Sequence, residues 1–480
     1  MGLGLIAAFL KSSGIPCRLI DLTTYAGPQL ALTAEPIATH RSRRAARHIR
    51  EAVDVLRTPA GYEERSRYRS SIEFYASALQ AASANKPWHL TPSDFIDSRI
   101  IDFGPWAAEK AVSIAWETPW IPVYDEVLAG SLDQFLPTLV GISVTYRPQF
   151  LPALSLAAWL RRHAPSLPVV WGGPFLDSLP KDTLAWMSAF AGTVIQGPGE
   201  QGLARILRIP PPAAGLFRDP CFDDLDHHSY FSPLPVVPLA ASRGCVWRRC
   251  AFCAESTGQF CADGLDELFA RIARLADCHQ KCLIHFTDNA IPPATLSALA
   301  ARGAPAPWYG FVRPTAALAD YGLVQALADS GCSMLQLGLE TASQGLLDHM
   351  RKGVDSTLYP SILANLRRAG IKSYAYLLFG FPGEGEADRE ETLRFCAEHP
   401  ADFLNASLFS LPPNAVAARD SRDFDLDLIA SPGDRYLRVV DDTRPRLRRW
   451  LSGSFLRHPT VRTMATRTPR YFKSSHAPFL

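Results

Sequence analysis

The stretch Ser242-Arg243-Gly244-Cys245-Val246-Trp247-Arg248-Arg249-Cys250-Ala251-Phe252-Cys253 follows the apolar run Val236 to Ala241 and gathers three cysteines on one short loop. Three thiolates so placed can hold three irons of a four-iron cluster and leave the fourth iron open to a small molecule. A zinc knuckle would need a fourth ligand. The nearest candidates, His227, His228 and Cys261, lie at no zinc-binding spacing.

Downstream, the chain repeats strand then helix, the order a parallel barrel requires. Cys282 to Phe286 reads as a short buried strand ending in Thr287-Asp288-Asn289, and Trp308 to Val312 as another. A helical stretch carrying Leu318, Leu323, Val324 and Leu327 follows and closes at Gly331. Met334 to Leu339 is a strand ending at Glu340, after which Leu358, Ile362 and Leu366 form one apolar helical face that stops at Gly370. Tyr374 to Phe379 runs into Gly380-Phe381-Pro382-Gly383-Glu384, and Asp402 to Ser410 is the candidate last strand. Residues at the carboxyl ends of parallel-barrel strands face the active site, which selects Asp288, Glu340, Gly380 and Gly383 as ligand contacts. Taken singly, each is equally what a tight turn or an exposed strand end looks like. Their order after the cysteines carries the inference.

Upstream, residues 139 to 207 show another strand and helix alternation. Leu139 to Tyr146 reads as a buried strand and is followed by a helix with Leu151, Leu154 and Ala158 on one face. Leu167 to Trp171 ends in Gly172-Gly173-Pro174, and Gly192 to Gln196 ends in Gly197-Pro198-Gly199-Glu200. Glycines at strand ends let a ligand approach the backbone, although an open sheet also uses them for plain turns. Met1 to Leu10 matches a first helix and Cys17 to Leu22 a second strand, with a helix-rich insertion over about 31–134. The opening strand is missing: either the start site is placed too late, the favoured reading, or the sheet begins one strand short and exposes an unpaired edge. A signal peptide does not fit, because the apolar run is short and no basic segment precedes it.

The spacing Cys-x4-Cys-x2-Cys, with Phe252 between the last two cysteines, resembles the signature of the radical S-adenosylmethionine (SAM) superfamily, whose usual first gap is three residues. The resemblance implies a [4Fe-4S] cluster on Cys245, Cys250 and Cys253. Its open iron would chelate SAM, and one electron would split SAM into methionine and a 5'-deoxyadenosyl radical. Gly338-Leu339-Glu340-Thr341 with Met350-Arg351-Lys352-Gly353 looks like the family's ribose and methionine region, and Gly380 to Glu384 like its adenine turn. The upstream module resembles the cobalamin-binding Rossmann-like domain of many such enzymes. That implies a corrinoid pocket lined by Ser143, Thr145, Gly172, Gly173, Gly197 and Glu200, with the corrin ring between the two domains. No Asp-x-His-x-x-Gly marks a histidine for the cobalt.

The expected architecture is therefore α/β: a Rossmann-like cobalamin-binding-type domain (1–207), a linker (208–235), a partial (β/α)6 TIM-type radical SAM barrel (236–414) and a basic C-terminal extension (415–480). The first expected activity is cobalamin-dependent C-methylation in natural-product or peptide tailoring. The alternatives are a cobalamin-independent radical cyclase, epimerase or rearranging enzyme, and an iron–sulfur redox sensor. Expected partners are a small-molecule or peptide substrate and an electron donor such as flavodoxin or ferredoxin; nucleic acid is not expected.

A chain of 480 residues exceeds what one core usually organises, and no stretch is long and apolar enough to cross a bilayer. A cluster ligated by thiolates needs a reducing compartment, so ten cysteines point to the cytoplasm rather than to a disulfide framework. Cys278 and Cys282 read as buried free thiols. The formal net charge of +2 conceals a basic tail: from Arg435 to Lys473, ten Arg and one Lys face only Asp441 and Asp442. It is either a grip for an acidic partner or a solvated basic helix. Arg41, Arg43, Arg44, Arg47 and Arg50 read as the outer face of a helix.

Overall fold

The computed structural model describes residues 1–100, 103–212, 219–412, 414–426, 428–429, 438–439, 444–468 and 471. The chain forms two compact units, one spanning Met1–Pro233 and one that begins at Leu234.

In the first unit, His40–Val55 and Arg65–Ala82 are helices. Thr39 caps the first of them, its side chain accepting from the Ser42 amide. Ala45, Ile49, Ala52 and Val53 are buried on one face, while the five arginines stand exposed on the other. A small antiparallel hairpin, β1 (Trp88–Leu90) and β2 (Phe95–Asp97), breaks the helical run and had no signature in the sequence.

Three parallel strands follow: β3 (Val140–Ser143), β4 (Val169–Gly172) and β5 (Thr193–Val194). Val169, Val170 and Trp171 form an unbroken buried run because both faces of the sheet are covered. One face belongs to a core with Leu154, Trp159 and Met187, and the other packs against Ile6, Ile195 and Leu203. Gly192, expected within β5, instead turns into it at φ +111, where a Cβ would stand 2.0 Å from the Val169 carbonyl oxygen. The expected strand Cys17–Leu22 is also corrected. Among the described residues no ladder pairs it, and the Leu19 amide donates to the Asp224 carboxylate at 3.1 Å. Ile20 and Leu22 nevertheless pack on the core, which accounts for their apolar pattern.

The second unit is built on six parallel strands: β6 (Val236–Leu239), β9 (Leu283–Phe286), β10 (Trp308–Val312), β11 (Cys332–Glu340), β12 (Lys372–Phe379) and β13 (Phe403–Leu408). Two short strands, β7 (Ser242–Arg243) and β8 (Cys261–Ala262), pair at the base of the cysteine loop. The six long strands lie in chain order, each adding beside the last, as in a barrel wound in one sense. Helices Leu265–Cys278, Pro293–Arg302, Tyr321–Asp329, Tyr359–Arg368 and Glu386–Glu398 connect them. One side chain from each strand, Val236, Leu283, Tyr309, Met334, Tyr374 and Phe403, fills the interior.

Part of the basic tail completes this unit. The Thr468 hydroxyl bonds both the amide and the carbonyl of Leu404 on β13, at 3.0 Å each, which blunts the sheet edge. Phe455 and Trp450 pack on Phe379, while Arg446, Arg448 and Arg449 remain exposed. Arg435, Asp441, Asp442, Arg470 and Lys473 lie outside the described residues.

The turn after β12 is held by Glu384, whose carboxylate accepts from the Gly380 amide at 2.6 Å and lies 3.7 Å from Arg389. Burial pushes this carboxyl up to about 7, against the Gly380 bond and the Arg389 charge. Because the folded value is raised, the native state binds the extra proton. The stability this gives is full at acid pH and is lost as pH climbs through about 7. Glu384→Gln should therefore flatten the fall in thermal midpoint between pH 4.5, the ordinary carboxyl value, and about 7, measured by near-UV circular dichroism. An unchanged slope would contradict the assignment. In the first unit, Gly192→Ala should lower the urea midpoint by the equivalent of about 1–3 kcal/mol, the cost of forcing a side chain into that backbone region against a carbonyl.

Candidate active site

The loop between β7 and the short 3-10 turn Ala254–Thr257 has almost no regular structure, so its polar groups find partners elsewhere. The Ala251 amide donates to the Met350 carbonyl and the Ala251 carbonyl accepts from Ala417, both at 2.9 Å. The Trp247 indole donates to the Arg351 carbonyl at 2.9 Å, and Arg313 donates to the carbonyls of Lys352 at 2.5 Å and Gly353 at 3.2 Å. Gly353 is required beneath that indole, since a Cβ there would come within 1.9 Å of the ring. The cysteine loop is thus stitched to the segment Met350–Gly353 that follows β11.

Cys250 is buried, Cys245 and Cys253 are partly buried, and none is in a disulfide. Burial pushes the Cys250 thiol up, opposed by the Lys352 ammonium and the Arg313 guanidinium, the latter 3.9 Å from its Sγ. Burial likewise raises Cys253 to about 11. All three cysteines lie on the one loop between β7 and the Ala254–Thr257 turn. Among the described residues no three Cys, His, Asp or Glu side chains approach closely enough to share one metal ion. Thiolates on separate corners of an iron–sulfur cube stand farther apart than ligands of one ion, and three free cysteines on one loop are the donor set such a cube takes. Binding iron would deprotonate the thiols and offset the cost of burying them.

Glu340 ends β11 at φ +64, a left-handed conformation unusual for a non-glycine residue, where the register with β12 slips. Its buried carboxylate accepts from Lys352 Nζ at 2.6 Å, and Gly338 gives both room, since a Cβ there would meet Lys352, Glu340 and Phe311. Lys352 Nζ lies 5.5 Å over the Phe252 ring, which meets Phe381 edge-on at 6.4 Å. The cysteine loop, the end of β11 and the Gly380–Glu384 turn therefore converge. Gly383 faces His349, and Gly380 faces Leu447 of the tail. Asp288 is engaged inside the protein, accepting from the Ala241 amide at 3.0 Å and from the Ser242 hydroxyl, so it fixes the entry to the cysteine loop. Burial raises its carboxyl against those bonds.

The sequence did not single out Arg313; Lys352 fell within the Met350–Gly353 phrase and Trp247 within the cysteine stretch, neither with a role of its own. Arg313 directly follows β10 and so occupied a barrel-end position that could have been read. On its outer flank the loop borders an open cleft of about 520 Å³ lined by Trp247, Arg248, Arg249, Arg351 and Arg419 and by Asp348 and Asp420, the latter 3.8 Å from Arg351. In the first unit, Ser143 and Gly172 pair at the carboxyl ends of β3 and β4. Thr145 lies two residues beyond β3, its amide donating to Gln149 at 2.8 Å. Gly173 approaches the Val144 backbone, the Gly197 amide donates to Asp177 at 3.3 Å, and Glu200 sits in the first turn of Gly199–Leu207.

The ribosomal protein uS12 methylthiotransferase RimO of Saccharopolyspora erythraea is 28% identical over 231 residues, 44% of this chain and 46% of that protein. A tRNA-2-methylthio-N(6)-dimethylallyladenosine synthase of Moorella thermoacetica is 37% identical over 87 residues, 18% and 19% of the two chains. The chain thus spans less than half the length of these curated relatives. Among solved structures, the cobalamin-dependent SAM radical enzyme OxsB with aqua-cobalamin bound superposes with a TM-score of 0.50 at 14% identity, covering 69% of this chain and 60% of that one. This is a likeness of fold. The family model described as the radical SAM superfamily matches residues 239–396, and over that span the chain carries a radical SAM domain.

Proposed function

We propose that this protein cleaves SAM reductively and uses the product to functionalise an unactivated carbon, by cobalamin-dependent methylation in natural-product or peptide tailoring. The observation that supports it most is the stitching of the three-thiol loop to Met350–Gly353. That brings Cys250, Arg313, Lys352 and Glu340 to one end of the barrel. When bound, the [4Fe-4S] cluster supplies the electron that splits SAM into methionine and the 5'-deoxyadenosyl radical, and cobalamin carries the methyl group.

The chain's own residues divide the remaining work. Cys245, Cys250 and Cys253 hold three irons, and Arg313 and Lys352 offset the negative charge that thiolates bring into a buried site. Glu340, fixed by Lys352, accepts hydrogen bonds from SAM, and the Gly380–Glu384 turn leaves its backbone open to the adenine. Phe252 and Phe381 exclude water beside them. The cleft next to Trp247, where four arginines outnumber Asp348 and Asp420, suits an acidic electron donor such as flavodoxin or ferredoxin. Ser143, Thr145, Gly172, Gly173, Gly197 and Glu200 are the proposed corrinoid contacts. The OxsB likeness supports that choice at the level of fold.

Methylthio transfer is the second reading, favoured by the names of the curated relatives. Product mass separates a methyl from a methylthio increment. Anaerobic reconstitution tests the first reading: retained corrinoid and a methylated product are expected, and the absence of both would remove it. Cys250→Ala should lose iron together with 5'-deoxyadenosine release. Glu340→Gln should keep the iron, measured colorimetrically, and bind SAM roughly tenfold more weakly, the loss of one charge-assisted hydrogen bond. Equal iron in both variants would overturn the ligand assignment. A protein that binds the cluster yet releases no 5'-deoxyadenosine after reduction would be a sensor.

A further inference from the structure

The barrel interior is layered. Val236, Leu283, Tyr309, Met334, Tyr374 and Phe403 form an apolar floor with one residue from each strand, and all but Val236 are buried. Strand alternation puts the residues two positions further on at the same interior face: Pro238, His285, Phe311, Gln336, Tyr376 and Asn405. Another two positions on, β10 and β11 reach Arg313, beside Cys250, and Gly338, beside the Glu340–Lys352 pair. The middle layer therefore lies one step, about 7 Å, beneath the residues that would meet SAM.

Its chemistry differs from that of the floor. Five of its six members are only partly buried, so the lumen is open above the floor. Phe311 and Tyr376 meet edge-on at 5.1 Å, and His285 stacks on Tyr309 at 4.3 Å. Burial lowers His285 to about 4, so the layer carries no charge at neutral pH. Gln336 is the exception to exposure: it is 3% accessible, and among the described residues its Nε2 has no hydrogen-bond partner. A buried donor left unpaired is costly, and native structures rarely keep one without a use.

We infer that this layer is the substrate floor and takes an uncharged aromatic group bearing a hydrogen-bond acceptor, which pairs with Gln336 Nε2 while its ring packs on Phe311 and Tyr376. This deepens the proposed function and rests on it for the placement of the reacting carbon beside SAM. Both a free aromatic amide and an aromatic residue within a peptide present that chemistry. A charged reacting end does not fit, because the layer offers no counter-charge and desolvation would go uncompensated.

The test is ligand-observed NMR on the full, anaerobically reconstituted chain with N-acetylphenylalaninamide, N-acetylphenylalanine and N-acetylleucinamide. The first should bind, and the charged and ringless probes should bind at least about tenfold more weakly. Gln336→Met, nearly isosteric, should weaken the first probe by roughly three- to tenfold while leaving the thermal midpoint level or higher, because an unpaired polar group is removed. A blocked neutral peptide centred on phenylalanine identifies the source: tighter binding than the free amide assigns a peptide, weaker binding a small molecule. Equal binding of charged and uncharged probes, binding unchanged in Gln336→Met, or a lowered midpoint in that variant would each overturn the inference. 5'-deoxyadenosine release by the wild-type protein is read in the same samples. Its loss with probe binding retained counts against the radical chemistry alone, and the converse counts against the substrate floor alone.

Discussion

Holding three thiols, one buried and two partly so, on a loop that makes few hydrogen bonds of its own governs the carboxyl end of the second unit. Such a loop keeps its shape only if neighbouring elements satisfy its backbone. Here the neighbours are the Met350–Gly353 segment and Ala417, and each makes a demand on the chain around it. Met350–Gly353 must arrive at a fixed height after β11, which the short helix Gln344–His349 ensures. Ala417 must lie beneath the loop, so Val416, Ala417 and Phe424 are drawn into the same core as Ala251, Met350 and Phe381. Residues just beyond 414 therefore help to hold the cysteines in place.

The same geometry controls the electrostatics. Arg313 and Lys352 both bear on Cys250, and each is also tied to another part of the site, Arg313 through the carbonyls of 352 and 353 and Lys352 through Glu340. A buried Lys–Glu pair gains little net stability, because desolvation consumes most of the attraction. Removing one partner is expensive, however, so the pair fixes where both groups sit. Glu340 accepts a left-handed backbone and a register slip in β11 on top of that cost. Strain concentrated on a buried, paired carboxylate at a strand end marks a place where the surrounding fold overrides local preference.

Much of the second unit was legible in the sequence because its strands are buried on both faces and read as short unbroken apolar runs between turn residues. Trp308–Val312 matched residue for residue, and the other strands matched to within a few residues at each end. The same signal misled at Cys17–Leu22, where apolar side chains face a core but the Leu19 amide bonds Asp224 instead of a neighbouring strand. Periodicity reports burial, and burial does not require a ladder. The hairpin β1–β2 escaped because three-residue strands carry no period. Within the site, thiol spacing was readable since one loop holds all three, whereas Arg313 and Lys352 reach Cys250 from separate barrel connections and share no spacing with it.

Gln336 shows the limit of that kind of reading most clearly. In Leu335-Gln336-Leu337 a single amide inside an apolar run looks like a tolerated polar residue on a strand. Its meaning depends on depth. At the level of Met334 it would interrupt a packed plug, and beyond Gly338 it would compete with Glu340 for Lys352. Between the two it joins His285, Tyr376 and Asn405 in an interior ring that is polar yet uncharged, above a floor that is apolar. That ordering, apolar, then neutral polar, then charged, follows from six strands advancing together toward the thiols. A local window along one strand cannot contain it, because each strand contributes only one residue to each layer.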